Sequence, residues 1–194
     1  MSEAERSSLV RESPPLHVTM LRCSTLLLEL GTLRILTDPW FGMCMRVLPV
    51  FRRPGMEARQ LGHLDAVLVS HLHPDHYDEG AMAALSPPPR RVVLPPGALE
   101  ALGGARPGAW QELGPGEAID LPGDGLSIHA VPGPHTGPAP DEVNFVIDFK
   151  RWGRVFFGGD ARFDVDVLRD IAARFAPVDL ALLPVGGTRI FGSR

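Results

Sequence analysis

Cysteine is scarce in this chain of 194 residues. Its two cysteines, Cys23 and Cys44, cannot build the framework of several disulfides that stabilises small secreted domains, and no pair of CxxC motifs indicates a structural zinc site. We therefore expect both thiols to be reduced and the protein to be cytoplasmic, because disulfides persist in oxidising compartments.

Long apolar runs are also lacking. No stretch of the sequence approaches the roughly 18 continuous apolar residues of a membrane-spanning helix. Residues 1–15 mix charge with serine and proline, and they lack the apolar centre of a signal peptide. The sequence therefore predicts a disordered tail over 1–15, a single domain over 16–194 and no membrane span.

Positive charge is not in excess either. The chain has 19 Lys and Arg against 23 Asp and Glu, which gives a net charge of -4. Nucleic-acid-binding domains need clustered Lys and Arg, whereas the short basic spots at 52–53 and 90–91 are typical of solvated loops. We expect a small-molecule substrate and no nucleic-acid partner.

Short apolar segments separated by glycine and proline make up most of the chain. They predict strands over 16–21, 25–30, 33–36, 66–70, 92–94, 126–131, 145–149, 155–157 and 180–183. The segments 66–70 and 180–183 have the continuous apolar pattern of buried strands, and 126–131 alternates like a half-buried one. Helices are predicted from Pro74 through 85, near Leu99 and over 168–175. This pattern is typical of a layered α/β fold, with 39–62 as a loop over a site.

The stretch SHLHPDHYD at 70–78 contains three of the seven histidines. An extended backbone sends alternate side chains to one side, so His71 and His73 can reach one ion, and Pro74 keeps the preceding residue extended. Asp75 and His76 then project in another direction, toward a second ion. Nitrogen and oxygen ligands without cysteine indicate an open catalytic site for zinc, or for manganese or iron. The alternative is a polar strand-to-helix turn in which Asp75 caps the helix.

HLHPDH at the end of an apolar strand resembles the signature of the metallo-β-lactamase superfamily. The segment TDPWF at 37–41 and the short form of the chain resemble the branch that contains ascorbate-6-phosphate lactonase and N-acyl phosphatidylethanolamine phospholipase D. The resemblance implies a four-layer αββα sandwich of the α/β class. It also implies hydrolysis by a hydroxide held between two metal ions, most simply zinc.

The resemblance further implies which side chains hold the metal. His71, His73 and His135 would bind the first ion. Asp75 and His76 would bind the second, and Asp75 would also orient the hydroxide or take a proton. Asp160, in FFGGDARF, would bridge the ions. Taken without the family, a histidine in the loop PGPHTG is more often a solvent-exposed residue, and an aspartate at a strand end can simply terminate the strand.

Two other polar residues have simpler interpretations. Asp38 precedes Pro39, so a turn residue is the favoured interpretation, and a hydrogen bond to a ligand histidine is the less favoured one. His129 lies on the face that alternates with the apolar one in its strand, and it is interpreted as a surface or packing residue.

The chain departs from the family pattern near its C-terminus. The family supplies one more histidine for the second ion after the last strand, together with a further helix, whereas no histidine follows His135. We therefore expect a C-terminally shortened fold, and the sheet this would expose favours homo-oligomers. Three alternatives stay open: a truncated chain, a weakly held second ion, and a ligand supplied by another chain.

The expected function is metal-dependent hydrolysis of a phosphodiester or a lactone. β-Lactams fit less well, thioesters stay open, and the acidic balance disfavours a nuclease that processes transfer RNA. The alternative from a different class is a metal-binding or interaction module without turnover, because a fold does not imply a function.

Overall fold

A computed structural model describes residues 14–42, 44–45, 48–49, 54–104, 106, 108–121, 125–134, 142–162 and 165–185. The strands are β1 Leu16–Arg22, β2 Thr25–Leu30, β3 Leu33–Thr37, β4 Cys44–Met45, β5 Leu48–Pro49, β6 Ala66–Leu68, β7 Val92–Leu94, β8 Trp110–Glu112, β9 Ala118–Leu121, β10 Leu126–Pro132, β11 Val143–Phe149, β12 Gly153–Phe157 and β13 Leu180–Leu182. The α-helices are α1 Glu79–Ala84, α2 Ala98–Ala101 and α3 Val165–Phe175. A 3-10 turn spans Ala58–Gln60.

Two mixed sheets form the body of the fold. The first has the strand order β1-β2-β3-β6-β7-β8, in which β1 to β3 are antiparallel and β3, β6, β7 and β8 are parallel. The second has the order β13-β12-β11-β10-β9 and is antiparallel except for the pair β12 and β13. The short pair β4 and β5 stands apart from both.

Three apolar clusters define four layers. The largest lies between the sheets, where Leu28 and Leu68 of the first sheet pack with Phe145 and Ile128 of the second. A second cluster joins the other face of the first sheet to α1 and α2. A third joins the other face of the second sheet to α3. The layers are therefore α, β, β and α, which confirms the predicted sandwich.

Several local predictions need correction. The helix α1 begins at Glu79 rather than at Pro74, because Asp78 caps it by accepting the Ala81 amide at 3.1 Å. Strand β10 is buried on both faces rather than one, because the first sheet covers one face and α3 covers the other. Strand β13 is only partly covered rather than buried, since it is the edge strand beside β12.

The predicted loop over 39–62 contains β4, β5 and the 3-10 turn. Among the described residues, no helix combines the length and the apolar composition of a membrane span.

Candidate metal centre

The ends of three strands meet at one edge of the sandwich. Because β3 and β6 are parallel neighbours, the residues that follow them, Asp38 and Ser70, lie side by side. The loop after β12 brings Asp160 to the same edge from the second sheet, and His76 Nε2 lies 3.3 Å from Asp160 Oδ2. The sandwich thereby joins segments that are far apart in sequence.

The segment HLHPDH does not enter a helix directly. The amides of His76 and Tyr77 both donate to the carbonyl of His73, at 2.9 and 3.0 Å, and so close a turn. Asp78 caps α1, so helix capping does not explain why the motif contains Asp75. The half-buried Asp75 lies close to Asp160, in the loop after β12.

The side chain of Asp38 accepts buried hydrogen bonds from two neighbouring residues in this region. Its side chain is fully buried, and its Oδ1 accepts the Ser70 amide at 2.7 Å. Its Oδ2 accepts the Ser70 hydroxyl at 2.8 Å and His76 Nδ1 at 2.6 Å. The less favoured sequence interpretation, a hydrogen bond to a candidate ligand histidine, is therefore the one observed. The turn interpretation also holds in part, because Asp38 has a φ of 36°.

This network determines which nitrogen of His71 carries the proton. Ser70 Oγ has one hydrogen and donates it to Asp38, so it must accept from His71 Nδ1, which lies 2.9 Å away. The neutral ring therefore carries its proton on Nδ1 and offers Nε2 as an acceptor. His71 Nε2 lies 2.9 Å from His73 Nδ1, so nitrogen atoms of both rings face the same space, as the alternation rule predicts.

A second group of donor atoms lies beside the first. The ligand atoms of Asp75, His76 and Asp160 lie within 4.8 Å of one another, close enough to hold one ion. Burial opposes the charged form of His76, but the carboxylates of Asp38 and Asp160 outweigh it and raise the pKa of His76 to about 11. The side chain of Asp160 is 42% exposed, so the group opens to solvent.

Glu142 is a buried acid that the sequence analysis did not identify. Its side chain is 1% exposed, and burial raises its pKa to about 8. Its Oε1 accepts the Asp160 amide at 3.0 Å, and its Oε2 lies 3.8 Å from His71 Nδ1. Glu142 thus contacts one residue of each donor group, namely the ring of His71 in the first and the backbone amide of Asp160 in the second.

Gly159 makes this approach sterically feasible. It has a φ of +46°, and a Cβ built on it would lie 2.6 Å from Glu142 Oε1 and 2.9 Å from Ser70 Oγ. Any larger residue would therefore displace Ser70 Oγ and push Glu142 Oε1 away from the Asp160 amide. The motif FFGGDARF places two glycines before Asp160, but the sequence alone does not identify the side chains that occupy the space beside Gly159.

The sequence-predicted ligands are placed as follows. His71 and His73 form one pair, while Asp75, His76 and Asp160 form the adjacent group. His135 lies outside the described residues, so its role stays a prediction. His129 packs against Phe175 with ring centroids 5.1 Å apart, as a packing histidine would. Nitrogen and carboxylate donors facing one space, with histidine tautomers set by hydrogen bonds, fit a divalent transition metal.

The family follows from the sequence match. A family model described as Beta-lactamase superfamily domain matches residues 33–191, well over half of the chain. The chain belongs to this superfamily.

Three curated relatives narrow the class further. The chain is 31% identical over 185 residues to an uncharacterised protein of Mycobacterium tuberculosis, covering 84% of the chain and 46% of the relative. It is 28% identical to a UPF0173 metal-dependent hydrolase of Polaromonas sp., covering 79% and 60%. It is 26% identical to N-acyl-phosphatidylethanolamine-hydrolyzing phospholipase D 1 of Caenorhabditis elegans, covering 88% and 54%. The chain spans about half the length of these relatives.

Solved structures support the fold. A metallo hydrolase from the archaeon Ignicoccus hospitalis aligns over 89% of this chain and 72% of its own, with a TM-score of 0.69 and 20% identity. This likeness supports the metallo-β-lactamase fold, and the Polaromonas relative is named a metal-dependent hydrolase.

Proposed function

We propose that the protein is a hydrolase that binds two divalent ions, most simply zinc. The proposed ligands are His71, His73, His135, Asp75, His76 and Asp160. The observation that carries this proposal is the Asp38 network, which orients His76 directly and His71 through Ser70. A hydrogen-bonded Nδ1 leaves Nε2 of each ring to bind an ion, and such support from behind the ligands is typical of metal sites.

The proposed division of labour follows from the geometry. When bound, the ions would supply Lewis acidity and lower the pKa of a coordinated water toward neutrality, so that hydroxide is available as the nucleophile. Asp75 is half-buried beside His76 and Asp160, and we assign it the task of orienting that nucleophile or taking its proton. Asp160 reaches the same group from the opposite sheet, which suits a bridging carboxylate with two oxygens.

The substrate we propose is a phosphodiester, with a lactone as the second candidate. The similarity to the Caenorhabditis elegans enzyme supports the phosphodiester, because that relative is named for hydrolysing a phospholipid. The similarity is to part of that protein only, so the inference concerns the chemistry and not the particular lipid. The candidate centre is partly open at Asp160, which is compatible with a bulky substrate.

The test combines metal analysis with turnover. The purified chain is assayed for bound metal and for hydrolysis of a bis-aryl phosphodiester and a simple lactone, with Asp75→Ala as the test variant. Asp166→Ala is the control, because Asp166 is 89% exposed on α3. We expect about two ions per chain, and a loss of at least about 100-fold in kcat for Asp75→Ala only.

Two results would contradict the proposal in different ways. Fewer than one ion per chain together with blank assays would remove the binuclear centre. Metal bound at the expected stoichiometry without any turnover would support the metal-binding module instead of the enzyme.

A further inference from the structure

Glu142 is the buried acid that the proposed chemistry leaves without a task. It precedes β11, and its side chain is almost completely buried between the loop after β6 and the loop after β12. It is not placed in either donor group, because one of its oxygens already accepts the Asp160 amide. Burying a carboxylate in such a position is costly unless its interactions compensate.

The contacts of Glu142 explain what the residue controls. The hydrogen bond from the Asp160 amide to Oε1, at 3.0 Å, anchors the backbone of a residue whose own side chain is 42% exposed. The same side chain places its Oδ2 3.3 Å from His76 Nε2, so the position of its backbone helps to set where the carboxylate lies. Gly159, which has no Cβ, leaves the space that Oε1 occupies.

We propose that Glu142 is a positioning residue: its Oε1 holds the Asp160 amide and so fixes the orientation in which the Asp160 carboxylate meets His76 and Asp75. This inference rests on the proposed metal-binding role of Asp160. The essential property is an oxygen acceptor at that distance along the side chain, and not the negative charge.

Two conservative variants separate reach from charge. Glu142→Gln keeps the length of the side chain and an oxygen acceptor but cannot ionise. Glu142→Asp can still ionise but is one methylene shorter, so it loses the reach to the Asp160 amide. A residue that only fills space would tolerate both changes similarly, and a residue that acts through its charge would favour Asp over Gln.

The first measurement needs no metal. In chelator-treated protein, amide exchange at Asp160 is followed by NMR. We expect Glu142→Gln to exchange like the parent, and Glu142→Asp and Glu142→Ala to exchange about tenfold faster or more, because a hydrogen bond to a carboxylate is lost.

The second measurement is cobalt titration of the same proteins. Glu142→Asp and Glu142→Ala should bind the second equivalent about 10- to 100-fold more weakly, with an altered cobalt absorption spectrum. Glu142→Gln should stay within about threefold of the parent. The control is Glu117→Ala, because Glu117 also accepts a backbone amide, that of Gly114 at 2.7 Å, but in an exposed turn. It should leave both measurements unchanged.

The inference is overturned if Glu142→Gln is as damaging as Glu142→Asp, or if neither variant changes the Asp160 amide. The proposed function fails instead if the parent protein binds no cobalt. The two failures can be told apart, because amide exchange at Asp160 is measured without metal.

Discussion

The two halves of the candidate metal centre differ in how their histidines are held. His71 Nδ1 donates to a neutral hydroxyl, that of Ser70, at 2.9 Å, and the carboxylate oxygen of Glu142 lies farther away, at 3.8 Å. His76 lies between the carboxylates of Asp38 and Asp160, at 2.6 and 3.3 Å. The second half therefore stabilises an imidazolium, whereas the His71 ring in the first half is hydrogen-bonded to a hydroxyl that carries no charge.

The two carboxylates beside His76 oppose metal binding at that ring. An ion can bind His76 only when the ring is neutral, so it must displace a proton that these carboxylates stabilise. At His71 the Ser70 hydroxyl already favours the tautomer that has its proton on Nδ1 and its lone pair on Nε2, beside His73 Nδ1. We therefore expect the second half to bind its ion more weakly near neutral pH and with a steeper pH dependence.

The largest expected effect comes from Asp38→Asn, which removes the charge that distinguishes the halves. Taking away one partner of a buried pair costs about 3 to 5 kcal/mol, so the unfolding free energy should fall by about that amount in urea titrations. Asp65→Asn is the matched control and should cost about 1 kcal/mol, because its partners His63 and Arg90 are half-exposed and can be solvated. Equal losses in the two variants would show that the Asp38–His76 pair contributes no more to the unfolding free energy than the half-exposed pairs of Asp65.

The next effect concerns pH and the second ion. Below the His76 pKa of about 11, each pH unit raises the neutral fraction of the ring about tenfold. Between pH 7 and 9, competitive titration with a chelator should show affinity for the second ion rising by about tenfold per unit, with a smaller slope for the first. Equal slopes for the two ions would contradict the contrast between the halves.

The stability of chelator-treated protein should also depend on pH. The folded pKa of His76, about 11, exceeds the ordinary histidine pKa of 6.5, so its stabilisation is complete below pH 6.5 and is lost as pH rises toward 11. The stabilisation from Glu142 is also lost as pH rises, between its ordinary pKa of 4.5 and its folded pKa of about 8. Each group contributes at most about 1.4 kcal/mol per pH unit.

Two variants separate the contribution of His76 to this pH dependence from that of Glu142. Thermal unfolding of His76→Gln should lose the decline above pH 8, and Glu142→Gln should lose the decline below pH 6.5. A parent profile that is flat from pH 5 to 10 would show that neither shift exists.

The smallest expected effect is that of Ser70→Ala on the first half. The variant removes the hydroxyl that fixes the His71 tautomer but keeps the backbone bond from Ser70 to Asp38. First-ion affinity should fall about tenfold in a cobalt titration, with the second ion less affected. Ser127→Ala is the control, because Ser127 is also buried and donates to a carboxylate, that of Asp120, away from the centre. Similar losses in both variants would contradict a local role.

Proximity in sequence explains which parts of the centre could be predicted. The motif from His71 to His76 is short, and its spacing alone predicts how its side chains are directed. Asp38 and His76 are 38 residues apart, and Glu142 and Asp160 are 18 apart. Nothing in the sequence around Glu142 distinguishes it from a surface acid, because its burial depends on how two sheets meet.

The sequence by itself determined the ligand-rich motif, the alternation of short strands and helices, and the superfamily. Local spacing and apolar periodicity carry that information. Only the tertiary structure decided that Asp38 supports both histidines, that Asp78 rather than Asp75 caps the helix, and that Glu142 is buried beneath Asp160. These outcomes depend on which strand ends become neighbours, and strand pairing between distant segments is set by the packing of the whole sandwich.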